Sequence, residues 1–226
     1  MRAAISLAGI GELTDVHRFW YRIYVEGMSR HLGDPLTDHQ AEALTDPLVN
    51  AGNLFVARDH NGDIVATLMT TLAGDHDLGK YEGLYGIDQL SPTARARSSI
   101  TTKLMVAEPW RCTRLPMLMA RATYEHALSQ GIERDYIDCN DHLVSFFKRL
   151  GYRPHLGRIV HRDYGAVNSM VLQLTDEAHL RKLRSPFLKS LQQHGTPYPD
   201  AAIDNLCERP AVNTQTNNEE QSHVAA

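Results

Sequence analysis

Cysteine is scarce: Cys112, Cys139 and Cys207 are the three in a chain of 226 residues. An odd, sparse set supplies no disulfide framework and suits a reducing compartment, so a cytoplasmic protein is expected. Basic charge is not in excess, with 23 Lys and Arg against 27 Asp and Glu and a net charge of −4. That argues against a nucleic-acid partner, which calls for a basic face. No apolar run approaches the roughly 20 residues of a membrane span. The mildly apolar start, Met1 to Gly11, meets Glu12 and Asp15 at once and does not read as a signal peptide. Twelve histidines are present, none in a His-x-x-x-His pattern, and no Cys-x-x-Cys occurs. A closed metal site needs clustered ligands, so none is expected. There is no internal repeat.

What is present is a globular composition, with 42% hydrophobic and 22% charged residues. One domain over residues 1–194 is expected. An extension over 195–226, with Pro197, Pro199, Pro210 and a polar tail, is expected to be largely disordered. Val16, Phe19, Trp20, Ile23, Tyr24 and Met28 recur at helical spacing and predict an amphipathic helix over 14–32, capped by Thr14. Strands are predicted over 53–58 and 64–72, with Asn61-Gly62 as a tight turn whose two central residues need positive φ. Residues 74–86 carry four glycines and predict a mobile loop. A short helix is predicted over 91–97 and a strand over 99–107. Then follow a helix over 114–130 ended by Gly131, a strand over 132–139, and a helix capped by Asn140 or Asp141 and ended by Gly151. Two strands over 158–164 and 169–174 and a helix over 176–192 complete the expectation.

The segment from Val106 to Pro116 carries the chemistry. A strand that runs through a loop into a helix N-terminus offers unpaired amides and a positive dipole end, both favourable to phosphate oxygens. Arg111 and Arg114 add guanidinium forks beside it. The bland reading of the same residues is a capped helix with two solvated arginines.

Val106 followed by Arg111 resembles the donor motif of the GCN5-related N-acetyltransferase (GNAT) superfamily. Asp138-Cys139-Asn140, and then Phe146-Phe147-Lys148-Arg149-Leu150-Gly151-Tyr152, resemble its next strand and helix. The resemblance implies an α/β (α+β) fold with a mixed, mostly antiparallel central sheet and helices on both faces. It also implies a strand splayed from its neighbour, to which the pantetheine arm of the donor adds. The donor site then takes in Met105, Val106, Arg111, Cys112, Thr113, Arg114, Leu115, Asn140 and Phe147. Arg114 and Pro116 stand where the superfamily has glycines, and Phe147 stands where it has a general-acid tyrosine.

A narrower resemblance fits these departures. Tyr21-Arg22-Ile23-Tyr24-Val25-Glu26, Thr102-Lys103-Leu104-Met105-Val106 and Tyr164-Gly165-Ala166-Val167-Asn168-Ser169-Met170-Val171-Leu172 look like segments of the long-chain N-acyl amino acid synthases. These in turn are similar to acyl-homoserine-lactone synthases. The family tends to carry an acid at Ile100, and arginines at Lys103 and near Met69.

The resemblance implies an N-acyltransferase. Acyl-CoA, or the phosphopantetheine of an acyl carrier protein, would be the donor, and a small-molecule amine such as an amino acid or natural-product intermediate the acceptor. Trp20, Arg22, Tyr24, Met69 and Glu82 are then the acceptor-site candidates. Ser99 and Thr101 are candidate bases, and Cys139 a candidate acid or nucleophile. The competing readings are a protein or peptide N-acetyltransferase and a non-catalytic acyl-CoA-binding module of the same fold.

Overall fold

The computed structural model describes residues 3–28, 36–74, 76–161 and 165–194. The tail expected over 195–226, Cys207 within it, lies outside the described residues, as does Tyr164.

The strands in chain order are β1 (Ala4–Leu7), β2 (Thr37–Asp38), β3 (Ala43–Leu44), β4 (Asn53–Arg58), β5 (Ile64–Leu72), β6 (Ser98–Val106), β7 (Arg134–Cys139), β8 (Arg153–His161) and β9 (Gly165–Gln173). The helices are α1 (Leu13–Tyr21), α2 (Lys80–Tyr85), α3 (Pro92–Ala96), α4 (Leu115–Ser129), α5 (Val144–Leu150), α6 (Glu177–Leu183) and α7 (Phe187–His194). Seven strands form one sheet in the order β1-β4-β5-β6-β7-β9-β8, and β2 and β3 form a separate small hairpin. Every pairing in the large sheet is antiparallel except β6 with β7. Two apolar clusters flank the sheet. One packs α4, α5, α6 and α7 on one face; the other packs α1 and α2 on the opposite face. The expected mixed, mostly antiparallel sheet with helices on both faces is what forms.

Local departures have local causes. The first helix starts at Leu13, preceded by a 3-10 turn, because the Gly9 amide donates to the Glu12 carboxylate at 2.7 Å. Thr14 therefore lies inside the first turn and caps nothing. After Tyr21 the helix widens into a π-turn over Arg22–Glu26, closed by Gly27 N–H to the Arg22 carbonyl at 3.0 Å. In the β4–β5 turn only Gly62 has positive φ, at 87°. The Asp59 carboxylate takes the amides of Asn61 and Asp63 at 2.9 and 3.1 Å, which makes a longer turn than the two-residue one expected. The glycine-rich stretch is not all loop: α2 forms within it because Tyr81 and Tyr85 bury their rings. The Asn140 side chain makes no cap, and a 3-10 turn over Asp141–Leu143 leads into α5. The last two strands are longer than expected and the last helix is two, broken at Arg184, Ser185 and Pro186.

Candidate active site

β6 and β7 pair only over Ser98–Arg134, Ser99–Asp135 and Ile100–Tyr136. Beyond that point the strands part. β6 runs on to Val106 against β5 on one side, and among the described residues its other edge is left without a strand partner. Between Thr102 and Met105 the strand bulges: two residues of β6 stand against one of β5, and Lys103 takes φ of 59°.

The bulge is held from the α1 face. Trp20 donates through its indole N–H to the Thr67 hydroxyl at 2.9 Å, and Thr67 donates to the Lys103 carbonyl at 3.0 Å. The Lys103 ammonium lies over the Trp20 ring and pairs with Asp46 at 2.7 Å, both side chains being buried. At the end of the strand, Ala107 donates to Val65 at 2.9 Å, and Val106 stands opposite Ala66. Antiparallel alternation therefore turns the N–H and C=O of Val106 away from β5 and into the splay. Arg111 occupies that carbonyl with its Nε at 3.0 Å.

A cavity of about 810 Å³ opens at this point. Leu104, Met105 and Val106 of β6 line it, with Arg111, Cys112, Thr113 and Arg114 of the following loop and Pro116 and Met117 of α4. Phe146, Arg149 and Leu150 of α5 form another wall, and the corner from Leu183 to Pro186 contributes Arg184. Ile23 and Met28 reach in from the π-turn end of α1. Among the described residues the lining is apolar with four arginines and His142, and contains no carboxylate. The amide supply at the start of α4 is small, because Leu115 N–H is satisfied by the Thr113 hydroxyl at 3.1 Å and Pro116 has no N–H. The guanidinium groups supply the positive charge that a glycine-lined helix start would draw from its backbone.

The structure thus gathers Met105, Val106, Arg111, Cys112, Thr113 and Arg114 around one space. It does not bring Leu115, Asn140 or Phe147 there. Leu115 is in the core, and Phe147 packs edge-on against Tyr152 at 5.4 Å while its neighbour Phe146 faces the cavity. Ser99 and Thr101 both donate to Asp135, at 2.6 and 2.9 Å, on the side of the sheet away from α1. Tyr152 donates to the other oxygen of that carboxylate at 2.6 Å. Neither hydroxyl is available as a base. The Cys139 thiol contacts Met170 sulfur at 3.7 Å, and burial pushes it up to about 12, so it is a core filler and not a thiolate.

The acceptor candidates also disperse. Trp20 and Met69 are fully buried and Tyr24 nearly so. Arg22 is exposed over the Phe19 ring at 5.6 Å, and Glu82 pairs with Arg95 at 2.6 Å. Asp138, Phe146 and Arg149 stand in the β7–α5 motif without being marked there as site residues, and Arg184 lies outside any motif. Asp138 is half-buried on β7 where the strands have parted; it accepts from the Tyr85 hydroxyl and, among the described residues, forms no ion pair.

No family model matches the sequence, and no curated protein does. Solved structures do match in fold. The N-acyl amino acid synthase FeeM, from uncultured soil microbes, has a TM-score of 0.61 at 12% identity, over 83% of this chain and 97% of its own. The CoA-dependent acyl-homoserine lactone synthase MesI has a TM-score of 0.57 at 17% identity, over 87% of this chain and 97% of its own. A GNAT-family acetyltransferase from Staphylococcus aureus Mu50 has 0.51 at 13% identity, over 76% of this chain and 99% of its own. The chain has the GNAT fold. The resemblance drawn from the segment around Val106 and from the β7–α5 motif therefore extends to the whole architecture. Among the described residues no helix is long and apolar enough to cross a membrane, and no cluster of metal-ligating side chains occurs.

Proposed function

We propose that the chain is an N-acyltransferase that moves an acyl group from a phosphopantetheine thioester to the amine of a small molecule by direct attack. The observation that carries this is the cavity at the open edge of β6: among the described residues, an unpaired strand edge, apolar walls and four arginines without a carboxylate. That combination suits an amide-bearing arm, an acyl chain and phosphate on one ligand. The same fold in FeeM, an N-acyl amino acid synthase, and in MesI, a CoA-dependent acyl-homoserine lactone synthase, supports the reading.

In the reaction the amine nitrogen bonds to the thioester carbon, the carbonyl oxygen gains charge, and the C–S bond then breaks to release the thiolate. The Val106 N–H, directed into the splay, stabilises that oxygen. We assign the proton that the ammonium must lose to Asp138, which stands outside the cavity lining on β7 where the strands have parted and is reached through water, with the Tyr85 hydroxyl fixing its orientation. The thiolate takes a proton from solvent. Holding both reactants in the splay supplies the orientation that direct attack needs.

The test is incubation of the protein with acyl-CoAs of several lengths, acylated carrier protein and an amine mixture, followed by mass detection of amides and of the intact protein. New amides with an unmodified protein mass are expected. An acylated protein, or no consumption of any donor, contradicts the proposal.

A further inference from the structure

We infer that the donor is a CoA thioester held at two phosphate positions, the second formed by Arg149 and Arg184 for the 3′-phosphate. This rests on the thioester-donor reading and names the source of the thioester.

Arg111 and Arg114 belong to the loop between β6 and α4. Arg149 and Arg184 line the same cavity from different elements: the last turn of α5 and the corner between α6 and α7. That corner is bolted to the end of α5. The Ser185 hydroxyl donates to the Leu150 carbonyl at 2.5 Å and accepts from the Phe187 amide at 3.1 Å. His179 joins the Gly151 carbonyl at 3.1 Å. Leu180 packs so closely on Gly151 that an added Cβ would lie 2.6 Å from its side chain. The two guanidinium groups therefore stem from one fixed junction.

The charge of this pair is unspent. Nearby, Arg181 pairs with Glu177, and Arg153 pairs with Asp176 at 2.7 Å. Among the described residues Arg149 and Arg184 form no ion pair. Arg184 also holds φ of 51° and ψ of 41° at the end of α6. Glycine or asparagine is the ordinary residue for that backbone, so an arginine there favours a function for the side chain.

Two arginine pairs on separate walls call for two phosphate centres on one ligand. CoA has a diphosphate and a 3′-phosphomonoester. The prosthetic group of a carrier protein has one phosphodiester and so supplies one phosphate centre where the cavity has two arginine pairs.

The experiment titrates CoA, 3′-dephospho-CoA and 4′-phosphopantetheine into the full chain by calorimetry. It is repeated on Arg111→Ala, on Arg149→Ala/Arg184→Ala and on Arg149→Ala/Arg184→Gly. The glycine version keeps the left-handed corner without strain. The parent protein should bind CoA at least about 10-fold more tightly than 3′-dephospho-CoA, the scale of charge-assisted phosphate bonds. Both double variants should lose that difference and keep their affinity for 3′-dephospho-CoA, whereas Arg111→Ala should weaken both ligands. Equal affinity of the parent for the two ligands, or equal weakening of both in the double variants, overturns the two-phosphate assignment while leaving a donor site in place. Binding of 4′-phosphopantetheine as tight as that of CoA overturns it in favour of a carrier protein. Binding of none of the three overturns the donor reading itself, and this inference with it.

Discussion

Arg111 Nε donates to the carbonyl oxygen of Val106 at 3.0 Å, so the loop that carries the guanidinium folds back onto the strand it has just left. One nitrogen fixes the side chain, which lines the cavity, and the terminal nitrogens are left to bind a phosphate there. Arg111→Ala should weaken CoA binding about 10- to 100-fold with no loss of secondary structure, as read by calorimetry and circular dichroism. Arg111→Lys should recover little, because an ammonium cannot bond the strand and a phosphate with the same fixed geometry.

Cys112 and Cys139 should differ sharply in reactivity. Cys112 is exposed at the cavity rim; Cys139 is buried with its thiol pushed up to about 12. In a Cys207→Ser background, iodoacetamide at pH 8 should label Cys112 rapidly and Cys139 only in denaturant. Saturating CoA should slow labelling of Cys112 several-fold. Equal labelling with and without CoA would place the ligand elsewhere.

Much of this site was legible in the sequence, and the part that was not has physical reasons. Val106, Arg111 and Arg114 stand on a strand, loop and helix start, and local spacing marks them. Trp20 was marked for the acceptor, but its indole N–H turned inward to Thr67 and the β6 bulge, a contact between residues 47 positions apart. Ser99 and Thr101 were read as bases because nothing in the sequence shows that Asp135, on another strand, takes both hydroxyls. Arg149 ends a helix, where a basic residue is ordinary for the dipole and gives no signal. Arg184 falls inside the single helix expected over 176–192; Pro186 marks a break there, but the left-handed backbone that puts Arg184 at the corner shows only in the structure.

Asp135 should make stability depend on pH in an unusual direction. Burial raises its carboxyl to about 6, outweighing the hydroxyls of Ser99, Tyr152 and Thr101 that pull it down. An unfolded Asp titrates near ~3.9. The folded state therefore holds the proton more tightly, and this contribution is fully present below about pH 4 and is lost as pH rises through about 6. Relative to Asp135→Asn, the parent protein should lose about 3 kcal/mol between those limits and change little above pH 7. Urea denaturation of both proteins across pH 4 to 8 reads this directly. A difference that grows with pH would contradict it.

Lys103 and Asp46 form a buried pair under the bulge, with side chains 9% and 4% exposed. Lys103→Met leaves the Asp46 carboxylate without its cation and should cost about 3–5 kcal/mol in urea unfolding. Lys103→Met/Asp46→Asn should recover most of that loss, since the Leu48 amide cap at 2.9 Å can persist on the amide oxygen. An unaffected single variant would show that the bulge does not depend on the pair.

Asp138→Asn should lower kcat at least about 100-fold and leave CoA affinity unchanged, the pattern of a lost proton acceptor. Tyr85→Phe should lower kcat less, because it frees the carboxylate to turn without removing it. A fall in donor affinity equal to the fall in kcat would make Asp138 a structural residue.

The most direct measurement is a crystal structure with a non-reactive acyl-CoA analogue bound. The pantetheine amides should pair with the open edge of β6 between Thr101 and Val106, and the diphosphate should lie against Arg111 and Arg114. A ligand outside the splay, or an empty splay at saturating analogue, would contradict the assignment of this cavity as the donor site.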